Sequence, residues 1–140
     1  MMNTKIYKAV HELAEKLMVA ANKNDERAFG LFYEQLKTIC VDNENTKKDH
    51  PVQWETLADF TDELEDAVPV YEKALAMAVA IKSDEFICSI AYSMASLQLK
   101  LNLKSQAIEN LELAKKHSTE LEDKELKAQI HDLLYPLTNG

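Results

Sequence analysis

Residues 67–121 read AVPVYEKALAMAVAIKSDEFICSIAYSMASLQLKLNLKSQAIENLELAKKHSTEL, and one short pattern occurs in them twice. Ala67, Tyr71 and Ala74 return as Ala107, Leu111 and Ala114, each at an offset of 40 residues. Working outward, the same offset pairs Leu57 with Leu97, Ile81 with Leu121, Glu85 with Glu125, Phe86 with Leu126 and Ile90 with Ile130. A fixed period of this length is the signature of a repeat array, in which each unit buries its apolar face only against a neighbour.

Composition agrees with a helical array. The chain of 140 residues contains two glycines and three prolines, with Ala, Leu, Lys and Glu abundant. Those four are good helix formers, whereas an all-β chain needs many Gly- and Pro-bearing turns. The hydrophobic fraction of 46% is enough for a core, and the length suits one domain spanning residues 1–140.

The periodicity divides the chain into seven helices. Helix 1 covers about 4–22, with Ile6, Val10, Leu13 and Leu17 on one face and Thr4 as its cap. Helix 2 covers about 26–41, opened by Asp25, with a core-facing stripe of Phe29, Phe32, Tyr33, Leu36, Ile39 and Cys40. Gly30 falls inside it, either for a close helix approach or for no packing reason. Residues 42–50 are polar and aperiodic and read as an exposed loop. Pro51 suits the first turn of helix 3, about 51–61, and Asp62 or Asp66 opens helix 4, which runs to about Ile81.

Ser83 caps helix 5, about 84–101, where the stripe Ile87, Ile90, Met94, Leu97 and Leu101 lies beside a second of Cys88, Ala91, Ala95 and Leu99. A helix apolar over most of its circumference belongs in the centre. Asn102 ends it. Helix 6 starts at Lys104 or Ser105 and runs to about His117, and helix 7 covers about 122–135 until Pro136 ends or kinks it.

Charge excludes several functions. The net charge is −8, and residues 42–66 hold nine acidic side chains against Lys47 and Lys48. Such a surface repels phosphate backbones and anionic membranes, so no nucleic-acid or membrane partner is expected. Cys40 and Cys88 stand alone with no CxxC, which argues against a disulfide framework or zinc site. The longest apolar run, Ala74–Ile81, is too short for a bilayer, and charges interrupt the N-terminal helix where a signal peptide would need its apolar region. We expect a cytoplasmic protein.

Chemistry is not signalled. Of His11, His50, His117 and His131, none follows a Glu by three residues, and His11 with Glu15 makes only two ligands. GxSxG and glycine-rich phosphate loops are missing. We therefore expect no catalytic residues, no metal and no cofactor.

The repeated Ala-x3-Tyr/Leu-x2-Ala on the second helix of each pair resembles the tetratricopeptide repeat. Ala95, twelve residues before Ala107, matches the small residue of the family's first helix, and Asn102 lies at a turn where glycine is common. The stride of 40 is similar to that of the longer-repeat subgroup. The family's first-helix tryptophan, tyrosine and glycine positions hold Ala91, Gln98 and Ala95, and Gln35 replaces the final alanine of the first hairpin. The likeness covers about 50–137 well and 5–41 loosely.

It implies an all-α fold of stacked antiparallel hairpins, about 4–41, 51–81 and 84–118, with a terminal helix at about 122–135, wound as a short right-handed solenoid. It also implies a concave groove lined by first helices. Carried over by register, that groove holds Thr56, Asp59 and Phe60 on helix 3, Ser89, Tyr92, Ser96, Leu99 and Lys100 on helix 5, and Gln129 and Asp132 on helix 7. Only Lys100 is present of the basic clamp that some members use for a terminal carboxylate. The implied function is a non-catalytic adaptor or scaffold that binds a protein or peptide, with an acidic rim favouring a basic or amphipathic partner. Two other readings stand beside it: a small secretion-type chaperone holding a partner segment, and a helical-bundle enzyme. A homodimer through the outer face of helix 1 or helix 7 is a further option.

Overall fold

The computed structural model describes residues 3–139 and is all-α, with seven helices among the described residues. They are α1 (Thr4–Asn22), α2 (Glu26–Asp42), α3 (Pro51–Asp59), α4 (Leu64–Ala80), α5 (Asp84–Lys100), α6 (Lys104–Ser118) and α7 (Lys124–Asn139). Side chains close most of the starts, each accepting a hydrogen bond from an otherwise orphaned backbone N–H. Asn3 accepts from Ile6 at 3.0 Å, Asp25 from Ala28 at 3.1 Å, Ser83 from Phe86 at 3.3 Å and Asp123 from Leu126 at 3.0 Å. The cap of α1 is thus Asn3 rather than Thr4, which lies inside the helix. Asp123 likewise sets the start of α7 at Lys124, two residues later than the periodicity suggests. Neither Asp62 nor Asp66 caps α4; Glu63 stands at its start without a side-chain bond.

Three connections share one geometry. Asn24, Lys82 and Asn102 have φ of 55°, 57° and 61°. After α1, Asn24 N–H donates to Ala21 and Asp25 N–H to Ala20; after α4, Lys82 donates to Val79 and Ser83 to Ala78; after α5, Asn102 donates to Leu99 and Leu103 to Gln98. This doubly bonded left-handed cap satisfies the last helical carbonyls and reverses the chain in very few residues. Asparagine tolerates the left-handed region and lysine does not share its local bonding, so Lys82 carries the strain of the three.

Helices pack with their chain neighbours, and α3 also touches α1 and α5. The largest core cluster draws on α1 to α5, including Leu17, Leu36, Trp54, Leu57, Tyr71 and Ile90. Two smaller clusters join α5, α6 and α7: Cys88, Ala91, Ala114 and Ile130 in one, Ala95, Ala107, Leu111 and Leu134 in the other. Helix α5 contributes to all three, as its double apolar stripe requires.

The stride of 40 residues survives into three dimensions. The buried set of α4 is Ala67, Tyr71, Ala74 and Ala78, and that of α6 is Ala107, Leu111, Ala114 and Ser118, position for position. Helices α4 and α6 start 40 residues apart at Leu64 and Lys104, as do α5 and α7 at Asp84 and Lys124. Ile90 and Met94 of α5 answer to Ile130 and Leu134 of α7.

Helix α3 breaks this regularity. It has 9 residues against 17 in α5, so about two turns of helix are replaced by the preceding segment. That segment is not simply an exposed loop. Its tip is exposed, but His50 is buried and Asp49 half-buried. Asp49 accepts from Trp54 Nε1 at 2.7 Å and from Asn45 N–H at 2.8 Å, and Gln53 Nε2 donates to the Lys48 carbonyl at 2.8 Å. Lys73 pairs with Glu44 and lies 4.3 Å from the Trp54 ring centroid.

One further expectation is corrected, and of the two readings of Gly30 the structure selects one. Pro136 does not end α7, which continues to Asn139. The position is exposed, so water can take the carbonyl that proline leaves unpaired, and Thr138 and Asn139 side chains donate back to Leu134 and Tyr135 carbonyls. Gly30 serves no close approach: nothing lies within 4 Å of where its Cβ would be.

Ala107→Glu is expected to destabilise by about 3 kcal/mol or more, because Ala107 is fully buried and the new side chain both overpacks and buries an unpaired charge. Urea denaturation of the variant measures this, and an unchanged midpoint contradicts the packing described. Lys82→Gly should raise stability by about 0.5–1 kcal/mol through relief of the left-handed strain.

Candidate functional site

The polar groups that the fold draws inward gather where α3, α4 and α5 meet. Glu55 of α3 is half-buried and accepts a hydrogen bond at 2.7 Å from Ser89 Oγ of α5. One turn further along α3, Asp59 sits at an exposed position but accepts the Tyr71 hydroxyl of α4 at 2.5 Å. Tyr71 is thus both a core filler, 5% exposed, and the carrier of a polar tip that reaches α3.

Burial raises the Glu55 carboxyl from 4.5 to about 7; the Ser89 hydroxyl opposes this, and the nearby Asp59 and Glu85 carboxylates reinforce it. Asp59 is also raised, by the partial desolvation of its carboxyl against Tyr71, whose hydrogen bond works the other way. The Tyr71 hydroxyl is pushed up by burial and by the Asp59 and Glu55 carboxylates.

Next to this network an open cleft runs between the start of α5 and the N-terminal half of α7. It is lined by Glu85, Ser89, Leu121, Glu122, Asp123, Glu125, Leu126 and Gln129. Four of the eight are acidic. Among the described residues the ion pairs are His11–Glu15, Lys73–Glu44, His117–Asp84 and His131–Asp132, so none of the four carboxylates is neutralised by one. The cleft therefore presents a negative potential suited to a cationic group.

The register-derived groove residues do not form one set. Ser89 and Gln129 share the acidic cleft, and Asp59 joins Tyr71 at the α3–α4 contact. Thr56 and Ser96 turn their hydroxyls onto their own helices, donating to the Val52 carbonyl at 2.7 Å and the Tyr92 carbonyl at 3.1 Å. Phe60 packs edge-on against Phe29 at 6.3 Å, and Tyr92 and Leu99 pack against the core clusters of α5 to α7. Lys100 and Asp132 are exposed, with Asp132 3.6 Å from His131.

Sequence reasoning missed Glu55 and the polar role of Tyr71. It did pair Glu85 with Glu125 by the 40-residue offset, and both line the cleft. That correspondence of two charged residues among apolar ones is the signal that could have led to it.

The thiols offer no nucleophile in this arrangement. Burial pushes Cys40 up to about 12 and Cys88 up to about 11, and both are fully buried. His117 Nδ1 lies 2.7 Å from Asp84 Oδ1, tying the end of α6 to the start of α5. Among the described residues, no group of three or more His, Cys, Asp or Glu is placed to hold a metal ion, and no helix is long and apolar enough to cross a membrane.

No protein-family model matches the chain, and neither does any curated protein or any solved structure.

Two groups on α3 should give opposite pH dependences. Glu55 is raised when folded, so its contribution is fully present below pH 4.5 and is lost as pH rises through about 7. His50 caps α3 by accepting from Val52 N–H at 3.1 Å and is lowered by burial, so its contribution is present above its ordinary value and is lost on acidification. Between pH 5 and 8, Glu55→Gln should leave stability rising with pH, and His50→Asn should leave it falling by about 2 kcal/mol. Urea midpoints across that range check both signs.

Proposed function

We propose that this chain is a non-catalytic, tetratricopeptide-like adaptor that binds a basic or amphipathic segment of another polypeptide. The binding face is the one formed by α3, α5 and α7, with Ser89 and Gln129 at its centre and Asp59 at one end. The observation that carries the reading is the open cleft in which Glu85, Glu122, Asp123 and Glu125 face solvent beside Ser89 and Gln129 without ion-pair partners. Four acidic side chains lining one cleft favour the approach of a lysine or arginine. The repeat of buried positions at a stride of 40 between α4 and α6 supports the array architecture that such adaptors use.

The physical role of each part follows. Helices α4 and α6 present small buried residues and act as spacers. Helices α3, α5 and α7 present polar side chains to the partner. Affinity comes from charge steering at the acidic cleft, together with apolar contact to the partly buried Leu121 and Leu126 at its floor.

Affinity capture followed by quantitative mass spectrometry tests this. The wild-type chain should recover a near-stoichiometric protein whose bound segment is basic. Glu85→Lys with Glu125→Lys should lose it about tenfold or more while keeping the thermal midpoint within a few degrees. Equal recovery by the double variant, or recovery abolished instead by Glu12→Lys on α1, would place binding on another face.

A further inference from the structure

The seat that α6 occupies on its neighbours recurs one stride further along the chain. Helix α6 packs Ala107, Leu111 and Ala114 with Ala91 and Ala95 of α5, and Leu75 of α4 lies against the same cluster. Gln98 of α5 adds a polar contact, its Oε1 accepting from Asn110 Nδ2 at 2.8 Å. Moving Leu75, Ala91, Ala95 and Gln98 on by the stride of 40 residues gives Lys115, His131, Tyr135 and Thr138. All four line one groove, between the end of α6 and the length of α7. Its floor is Ile130 and Leu134, the counterparts of Ile90 and Met94. Ala91 and Ala95 are fully buried under α6, whereas Tyr135 is 56% exposed and His131 is exposed.

The chemistry of the second seat departs from the first in one direction. Leu75 gives way to Lys115, Ile87 to Lys127 and Ala91 to His131. Among the described residues no carboxylate lines the groove, and neither lysine is in an ion pair; His131 lies 3.6 Å from Asp132. In a chain of net charge −8 this is a local reversal of sign. Solvating the end of an array requires polar side chains but not one sign of charge. A cation in the last turn of α6 suits that helix's terminus, but Lys127 is the fourth residue of α7, where the terminus favours an anion.

We propose that this groove seats an acidic amphipathic α-helix of a partner polypeptide, in the position that α6 takes on α5. A helix fits because the groove repeats, residue for residue, a surface that already holds one. The partner's small and apolar side chains lie over Ile130, Leu134 and Tyr135, and its carboxylates reach Lys115 on one rim and Lys127 on the other. A second copy docking the same face symmetrically would bring its own Lys115 and Lys127 against these, so like charges oppose that pairing. The groove shares no residue with the acidic cleft between α5 and α7, so this site and the proposed function can fail separately.

The probe is a synthetic peptide of residues 104–118 carrying Lys104→Glu, Lys115→Glu and Lys116→Glu, which keeps Ala107, Leu111 and Ala114 and becomes acidic. The unaltered peptide is the charge control. Fluorescence anisotropy of the labelled peptides against the full chain should show saturable binding of the acidic form, about tenfold tighter than the control. Lys115→Glu with Lys127→Glu in the protein should reverse that order of affinities while keeping the thermal midpoint within a few degrees. No saturable binding of the acidic peptide overturns the site, as does acidic-peptide binding that is unchanged in the double variant. A wild-type chain that sediments as a dimer and becomes a monomer in the double variant also overturns it, since the groove then belongs to a second copy.

Discussion

The structure rests on the close approach of helices across buried alanines. Ala67, Ala74 and Ala78 of α4, with Ala107 and Ala114 of α6, are all essentially inaccessible to water. Alanine has no side-chain entropy to lose in a helix and lets neighbouring backbones come near, while Tyr71 and Leu111 between them fill the space that remains. Position for position, the two helices solve the same packing problem. Helix α5 lies between them and has to be apolar on two sides, which explains Ala91 and Ala95 beside Ile90 and Met94.

Departures from this regular scheme collect at α3. Two turns of helix are missing, and a polar segment takes their place. Backbone groups that helix would have satisfied are satisfied instead by Asp49, Gln53 and His50 side chains. Gln53 is almost fully buried here, and its side-chain nitrogen is bonded to the Lys48 carbonyl. The same helix carries Glu55, Trp54 and Asp59, so the element with the fewest turns holds much of the inward-facing polarity.

Electrostatics follow from the same arrangement. An acidic chain distributes most of its charge harmlessly over solvated faces, where ion pairs contribute little. Between α5 and α7 the helix starts bring Glu85 and Glu125 together with Glu122 and Asp123, and on α3 the packing draws Glu55 partly out of water. The first effect creates a negative cleft; the second creates a carboxyl near neutrality. His50, lowered by burial at the start of α3, responds to acid in the opposite sense, so the pH response of the intact chain combines two opposing slopes.

Helix number, order and most boundaries were legible in the sequence, because apolar spacing and caps such as Asp25 and Ser83 act over a few residues. The 40-residue correspondence also predicted which alanines are buried, since repeated sequence meets repeated surroundings. Local rules erred where two signals competed: Asn3 over Thr4 as a cap, and an exposed Pro136 that solvent lets the helix accommodate. What only tertiary structure decided is the electrostatic character of individual polar groups. Glu55 looks like any surface glutamate in sequence, and Tyr71 like any core aromatic. Their roles depend on Ser89 and Asp59, which lie 34 and 12 residues away along the chain and meet them only after the helices pack. Periodicity reports which face of a helix is buried, whereas a hydrogen bond or a shifted carboxyl depends on the distance and burial that the neighbouring helix imposes.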